Sequence, residues 1–374
     1  MLRVGLITYG LDRVLSGISR YTLELALTLE GLRDQVEIVL LTAGAPGGLE
    51  STSFERVPLV GCARLPGLLA LGHVLIPAAA RRLKLDVIHD PTAVTPLLFG
   101  GGGAKVVTTV HDVFPLSYPG HSAALDDLIY RCWLPYKLPR VDYIITDSQH
   151  SRSDILRFIK VKPERIQTVS LGVRSLFKPI PQAEARAAVK AASGVENPYL
   201  LFIGNFNTRK NLALALRGFA AIHHDHPDLR LVLIGVRSFA QTPIEQLMAE
   251  LKITDKVIVA GTVADRLLPA FYSEAAAFLF PSFYEGFGLP ILEAMACGTP
   301  VITSNVSSMP EVAGDAALLI DPHSVESMSA AMQQILTDAT LREYLRARGL
   351  ARAAEYTWER TARETLAIYQ RVSH

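Results

Sequence analysis

Short apolar runs of strand character alternate with helical runs along almost the whole chain, at 4–7, 36–41, 87–89, 106–110 and 143–146, then at 199–203, 229–234, 257–260, 276–280, 300–303 and 317–320. Runs this short and this apolar read as strands buried on both faces, and helices between them imply parallel sheets covered on each side. The two series flank the stretch 177–198, which carries Pro179, Pro181 and Pro198, lacks strand character and reads as an interdomain linker. With 374 residues the chain is long for one core and comfortable for two. The expected organisation is a first α/β domain over 1–176, a second over 177–357, and an amphipathic helix over 358–374. Two doubly wound parallel sheets facing each other would hold a ligand at the carboxyl ends of their strands, in a central cleft.

Composition narrows the function. Hydrophobic residues make up 49% and charged residues 20%, which describes a soluble globular protein, and the formal net charge of +1 carries no broad footprint for a nucleic acid. Cys62, Cys132 and Cys297 are far apart, without metal-ligand spacing, and read as reduced thiols in the cytoplasm. The N-terminus reads as a first strand and not as a secretion signal. The longest apolar stretch, 65–80, is interrupted by Pro66, Gly67, Gly72, His73 and Pro77 and is too short to span a bilayer. Arg81, Arg82 and Lys84 follow it, so two readings stay open: a core-packing helix with a solvated end, or a segment resting on an anionic membrane or receiving a lipid-linked acceptor.

Chemistry concentrates in 281–301. An apolar strand is broken by Gly286 and Gly288, Pro290 suits a first helical turn, and Gly298 ends the helix. In a strand, glycine loop and helix, the N–H groups near Phe287, Gly288 and Leu289 point out at the positive helix end, where phosphate or sugar oxygens can be held. Glu285 precedes the turn and Glu293 lies in the helix. Carboxylates only accept hydrogen bonds, so the first suits a sugar hydroxyl and the second a ribose diol. After strand 199–203 come Gly204, Asn205, Phe206, Asn207, Thr208, Arg209 and Lys210, with two adjacent cations sited to neutralise a leaving diphosphate, Lys210 first and Arg209 second. Gly17, opening a helix after strand one, lets backbone N–H groups approach a diphosphate from the other domain. There is no GxGxxG fingerprint, which argues against a dinucleotide-dependent oxidoreductase.

Glu285, seven residues and Glu293, in this setting, resembles the family 4 retaining glycosyltransferases of the GT-B fold. The string His111-Asp112-Val113-Phe114-Pro115-Leu116 resembles the family's mannosyltransferase-like branch, which implies that His111, at a strand end, contacts the donor hexose. Asp112 more simply caps its own turn, and Ser148 reads as a helix N-cap. The resemblance also implies that backbone groups at Thr262 and Val263 read the nucleobase, and that Asn205 stands where relatives often carry Arg. It implies retention of configuration by front-face attack, with no enzyme nucleophile, and a last helix that packs back on the first domain.

With no Asp-x-Asp pair to hold a divalent ion, transfer is expected to need neither metal nor cofactor. His223, His224, Asp225 and His226 look like a metal cluster but read as solvated loop residues. The expected activity is transfer of a hexose, mannose from GDP-mannose, to a glycan, lipid-linked or small-molecule acceptor, in the cytoplasm or at the inner face of the membrane. A nonhydrolytic sugar-nucleotide epimerase of the same fold and a silent sugar-nucleotide-binding protein are the alternatives. The first would change the donor without an acceptor, and the second would bind without turnover.

Overall fold

The computed structural model describes the chain except for residues 12–16, 46, 51, 98–99, 121–126, 197, 205–206, 236–242 and 374. It divides into two compact units, Met1–Gly172 with Thr357–His374, and Val173–Tyr356.

In the first unit β1 (Leu2–Ile7), β2 (Val36–Thr42), β3 (Glu55–Pro58), β4 (Val87–Asp90), β5 (Lys105–Val110), β6 (Tyr143–Thr146) and β7 (Ile166–Thr168) form one sheet. Its order is β3-β2-β1-β4-β5-β6-β7, and every pairing is parallel. The central strands are buried almost throughout, as both-face coverage requires. β3 and β7 went unread in the sequence: only Val57 of β3 is buried, and β7 is three residues long, so neither leaves a periodic signal. The order reverses between β1 and β4, which places a crevice at their carboxyl ends.

The helix Trp358–Ser373 belongs to this unit, with Trp358, Ala362, Leu366, Ile368 and Tyr369 buried. The Tyr369 hydroxyl lies 2.6 Å from His89 Nδ1. Gly172 makes the crossing possible, since a Cβ there would sit 2.2 Å from the Trp358 nitrogen. The segment that carries so many prolines and glycines near residue 70 is a continuous helix, Leu65–Leu83, with Pro77 inside it. Leu68, Gly72, Ile76, Ala79 and Ala80 are buried, while Leu69, Leu71 and Val74 face outward, 37, 44 and 57% exposed.

In the second unit β8 (Tyr199–Ile203), β9 (Arg230–Ile234), β10 (Val257–Gly261), β11 (Ala277–Phe280), β12 (Val301–Ser304) and β13 (Ala317–Ile320) run parallel in the order β10-β9-β8-β11-β12-β13. Here the reversal falls between β8 and β11. The stretch read as a linker contains the helix Gln182–Ser193, which buries Ala185 and Val189 and joins Arg186 to Glu274 at 2.8 Å. It is thus a folded part of this unit: alanine, the best helix former, wins over the flanking prolines.

Candidate active site

Both expected cations leave β8, and Glu285 leaves β11, so the parallel pairing of these two strands brings opposite charges to the switch point of the second unit. Asn207 accepts from the Lys210 N–H at 3.1 Å and closes a tight turn over Thr208–Lys210. Asn211 follows at φ 53°, a left-handed conformation that asparagine tolerates better than most residues, and donates from Nδ2 to the Pro322 carbonyl at 2.8 Å. The Phe283 N–H donates to the Arg209 carbonyl at 2.9 Å and ties this turn to the glycine loop.

Lys210 Nζ lies 2.8 Å from Glu285 Oε1 and 4.6 Å above the Phe280 ring, while Arg209 Nη2 is 3.9 Å from Glu285 Oε2. Glu285 is buried. Burial alone would push its carboxyl up, but Lys210 and Arg209 outweigh that and hold it below the usual glutamate range. The carboxylate is therefore ionised at neutral pH and can only accept hydrogen bonds.

The loop that carries it is stapled from one side. Ser307 Oγ accepts from the Glu285 N–H at 3.1 Å and donates to the Glu285 carbonyl at 2.8 Å. Ser308 Oγ, buried, lies 2.9 Å from the Glu285 carbonyl and 2.7 Å from that of Phe287. Gly286 and Phe287 are thereby fixed, and Gly288 at φ 110° opens the helix Leu289–Ala296, with Pro290 in its first turn. No local pattern around Ser307 and Ser308 tells which carbonyls they meet.

Glu293 is half-buried on that helix, and Tyr272 donates its phenol to Glu293 Oε2 at 3.3 Å. Thr262 is exposed and Val263 half-buried just past β10, two strands from the switch point along the same carboxyl edge. Asn205 lies outside the described residues.

The remaining two expected positions belong to the first unit. Gly17 is exposed at the start of the helix Gly17–Glu30, after β1. His111 follows β5, and both of its ring nitrogens are engaged: Nδ1 lies 2.7 Å from Asp147 Oδ2, and Nε2 lies 3.0 Å from the Pro91 carbonyl. A carbonyl only accepts, so Nε2 carries a proton. Burial pushes the imidazole down, but the Asp147 carboxylate and the Pro91 carbonyl outweigh it and leave His111 above the ordinary histidine value. A ring hydrogen bond to a hexose, as the sequence implied, would need Nε2 to leave Pro91.

The loop bearing Pro91 is pinned by a buried ion pair between Lys137 Nζ and Asp90 Oδ2, 2.5 Å apart, which left no trace in the sequence. Asp112 caps its own turn through the Phe114 N–H at 3.0 Å, and Ser148 caps its helix through the Ser151 N–H at 3.0 Å, both as read. His223 departs from expectation, being buried against Phe219 instead of solvated. No group of three or more His, Cys, Asp or Glu side chains converges to hold a metal among the described residues.

Two Rossmann-like units, one with cations and an ionised carboxylate beside a helix N-terminus at its switch point, define a glycosyltransferase of the GT-B fold. The fold resembles, over 100% of this chain and 99% of the other, sucrose-phosphate synthase from Thermosynechococcus elongatus, with a TM-score of 0.79 and 22% identity. Residues 15–175 match the family described as Glycosyltransferase Family 4, and 185–352 match Glycosyl transferases group 1. The chain is 33% identical over 371 residues to the O-antigen chain mannosyltransferase B of Escherichia coli, covering 95% of this chain and 96% of that one. It is 31% identical over 309 residues to an MMP α-(1→4)-mannosyltransferase of Mycolicibacterium hassiacum, covering 78% and 72%. The protein belongs to glycosyltransferase family 4, among relatives that include mannosyltransferases.

Proposed function

We propose that this glycosyltransferase moves mannose from GDP-mannose, with retention, to a hydroxyl of a glycan, lipid-linked or small-molecule acceptor, without a metal ion. The observation that carries this reading is the buried Glu285 carboxylate held against Lys210 and Arg209 at the β8/β11 switch point. As the bond from the anomeric carbon to the diphosphate breaks, negative charge grows on the leaving oxygen, and Lys210, Arg209 and the amides of 287–289 are placed to receive it. Glu285 accepts from a hexose hydroxyl and orients the ring. The acceptor oxygen bonds the anomeric carbon on the face the phosphate leaves, and its proton passes to the departing phosphate oxygen. No covalent enzyme intermediate is needed. Mannose is favoured by the names of the two relatives above.

The test is transfer of labelled sugar from GDP-mannose, UDP-glucose and GDP-fucose to lipid-linked and soluble acceptors, with EDTA present, followed by NMR of the product anomer. Retained mannose is expected, and Lys210→Ala lowers kcat by about 10²-fold. An inverted anomer, absolute dependence on added metal, or a changed donor formed without acceptor would each overturn the reading.

The acceptor arm of the proposal places the protein in the cytoplasm, at the inner face of the membrane. Leu69, Leu71 and Val74 face outward on the helix Leu65–Leu83, whose last turn carries Arg81 and Arg82. No helix among the described residues is long and apolar enough to cross a bilayer. Co-sedimentation with phosphatidylglycerol vesicles is expected, lost in Leu71→Glu/Val74→Glu. Equal recovery of both proteins in the pellet would refute the contact.

A further inference from the structure

We infer that Tyr272 is a positioning residue for the nucleoside ribose, acting through Glu293. This rests on the reading of Glu293 as the acceptor for the ribose diol. Tyr272 stands on the helix Leu268–Glu274, fully buried, and its hydroxyl reaches across to Glu293 Oε2 on the helix Leu289–Ala296 at 3.3 Å. The ring cannot wander. It meets Phe278 edge-on at 5.2 Å and Phe177 edge-on at 5.9 Å, and its own carbonyl accepts from Thr299 Oγ1 at 2.6 Å.

The chemistry of the pair has one direction. A phenol enclosed by aromatic rings stays protonated, and burial raises the Tyr272 hydroxyl well above its ordinary value, so towards an acid it can only donate. Glu293 is half-buried on its helix. A hydrogen bond from a rigid partner restricts where its carboxylate points. Two vicinal hydroxyls need a carboxylate whose lone pairs already point at them, because ordering it on binding would cost part of the affinity. Tyr272 does that ordering before the nucleotide arrives. The phenylalanine variant keeps every ring contact and removes only the donor.

The experiment is calorimetric titration of GDP and UDP, each against its 2′,3′-dideoxy counterpart, into wild type, Tyr272→Phe and Glu293→Gln. The wild type is expected to prefer the ribose form. Glu293→Gln abolishes the preference, and Tyr272→Phe reduces it about five- to tenfold through the ribose form alone, the usual net worth of one intramolecular hydrogen bond. If Glu293→Gln discriminates as well as wild type, or if wild type itself binds neither nucleotide in preference to its dideoxy form, the ribose reading fails and takes this inference with it. If Glu293→Gln loses discrimination while Tyr272→Phe keeps it, only the role of Tyr272 falls. Equal weakening of ribose and dideoxy forms by Tyr272→Phe would show a packing role instead, and would also overturn the inference.

Discussion

Lys210 Nζ lies 2.8 Å from Oε1 of Glu285, and the two residues leave strands that are neighbours only in the folded sheet, β8 and β11. The pair is nearly dry, with side chains 15 and 8% exposed. Removing Lys210 leaves the buried Glu285 charge with only the more distant Arg209 at 3.9 Å, whereas removing both partners removes that charge as well. Lys210→Met is therefore expected to cost about 3 kcal/mol, and Lys210→Met/Glu285→Gln distinctly less. Thermal melts should rank wild type first, the double variant second and Lys210→Met last. Additive single-variant effects would mean that the two groups do not interact.

The same pair sets an acid response. The Glu285 carboxyl is depressed in the folded protein, so its contribution is complete above the ordinary glutamate value of about 4.3 and is lost as pH falls through the lower folded value. Across that acid window wild type should lose melting temperature faster than Glu285→Gln, with the two curves parallel near neutrality. Identical slopes throughout would show an unshifted carboxyl.

His111 behaves in the opposite sense. Its value is raised, so the stability it adds is complete below about 6.5 and is lost as pH rises through the folded value. Asp147→Asn removes the largest influence opposing burial and leaves only the Pro91 carbonyl and Asp112 against it. The His111 ring should then titrate lower than in wild type, as followed by its NMR resonances. A ring that stays protonated at neutral pH in the variant would assign the shift to some other group.

Ser308 tests how the glycine loop is held. Ser308→Ala strips the hydroxyl shared by the Glu285 and Phe287 carbonyls, while Ser307 still serves Glu285. The expected loss is about 1–2 kcal/mol, from a carbonyl left without its donor. On the proposed reading, in which the amides that follow hold the donor phosphate, KM for the nucleotide sugar should rise more than kcat falls. Unchanged KM with lowered stability would separate the staple from donor binding.

Much of the fold was legible because it is local. The buried strands of both sheets announce themselves as apolar runs, and the glycine turn, Pro290 and the Glu285 to Glu293 spacing are fixed by backbone chemistry within a few residues. The edge strands β3 and β7 escaped for the same reason in reverse, being too polar or too short for any period to show. The helix Gln182–Ser193 was not expected within a stretch flanked by Pro179, Pro181 and Pro198, although its interior is rich in alanine.

What the sequence determined by itself is this local code: where strands and helices form, where the loop between β11 and its helix must turn, and which residue types could handle a sugar nucleotide. Which charges meet was decided only by tertiary structure. Parallel pairing of β8 with β11 sets Lys210 against Glu285, pairing of β5 with β6 sets Asp147 against His111, and the packing of two helices sets Tyr272 against Glu293. Burial then shifts the protonation of Glu285, His111 and Tyr272, because a charge removed from water takes its pKa from its neighbours. Those neighbours are distant in the chain, and no local pattern can name them.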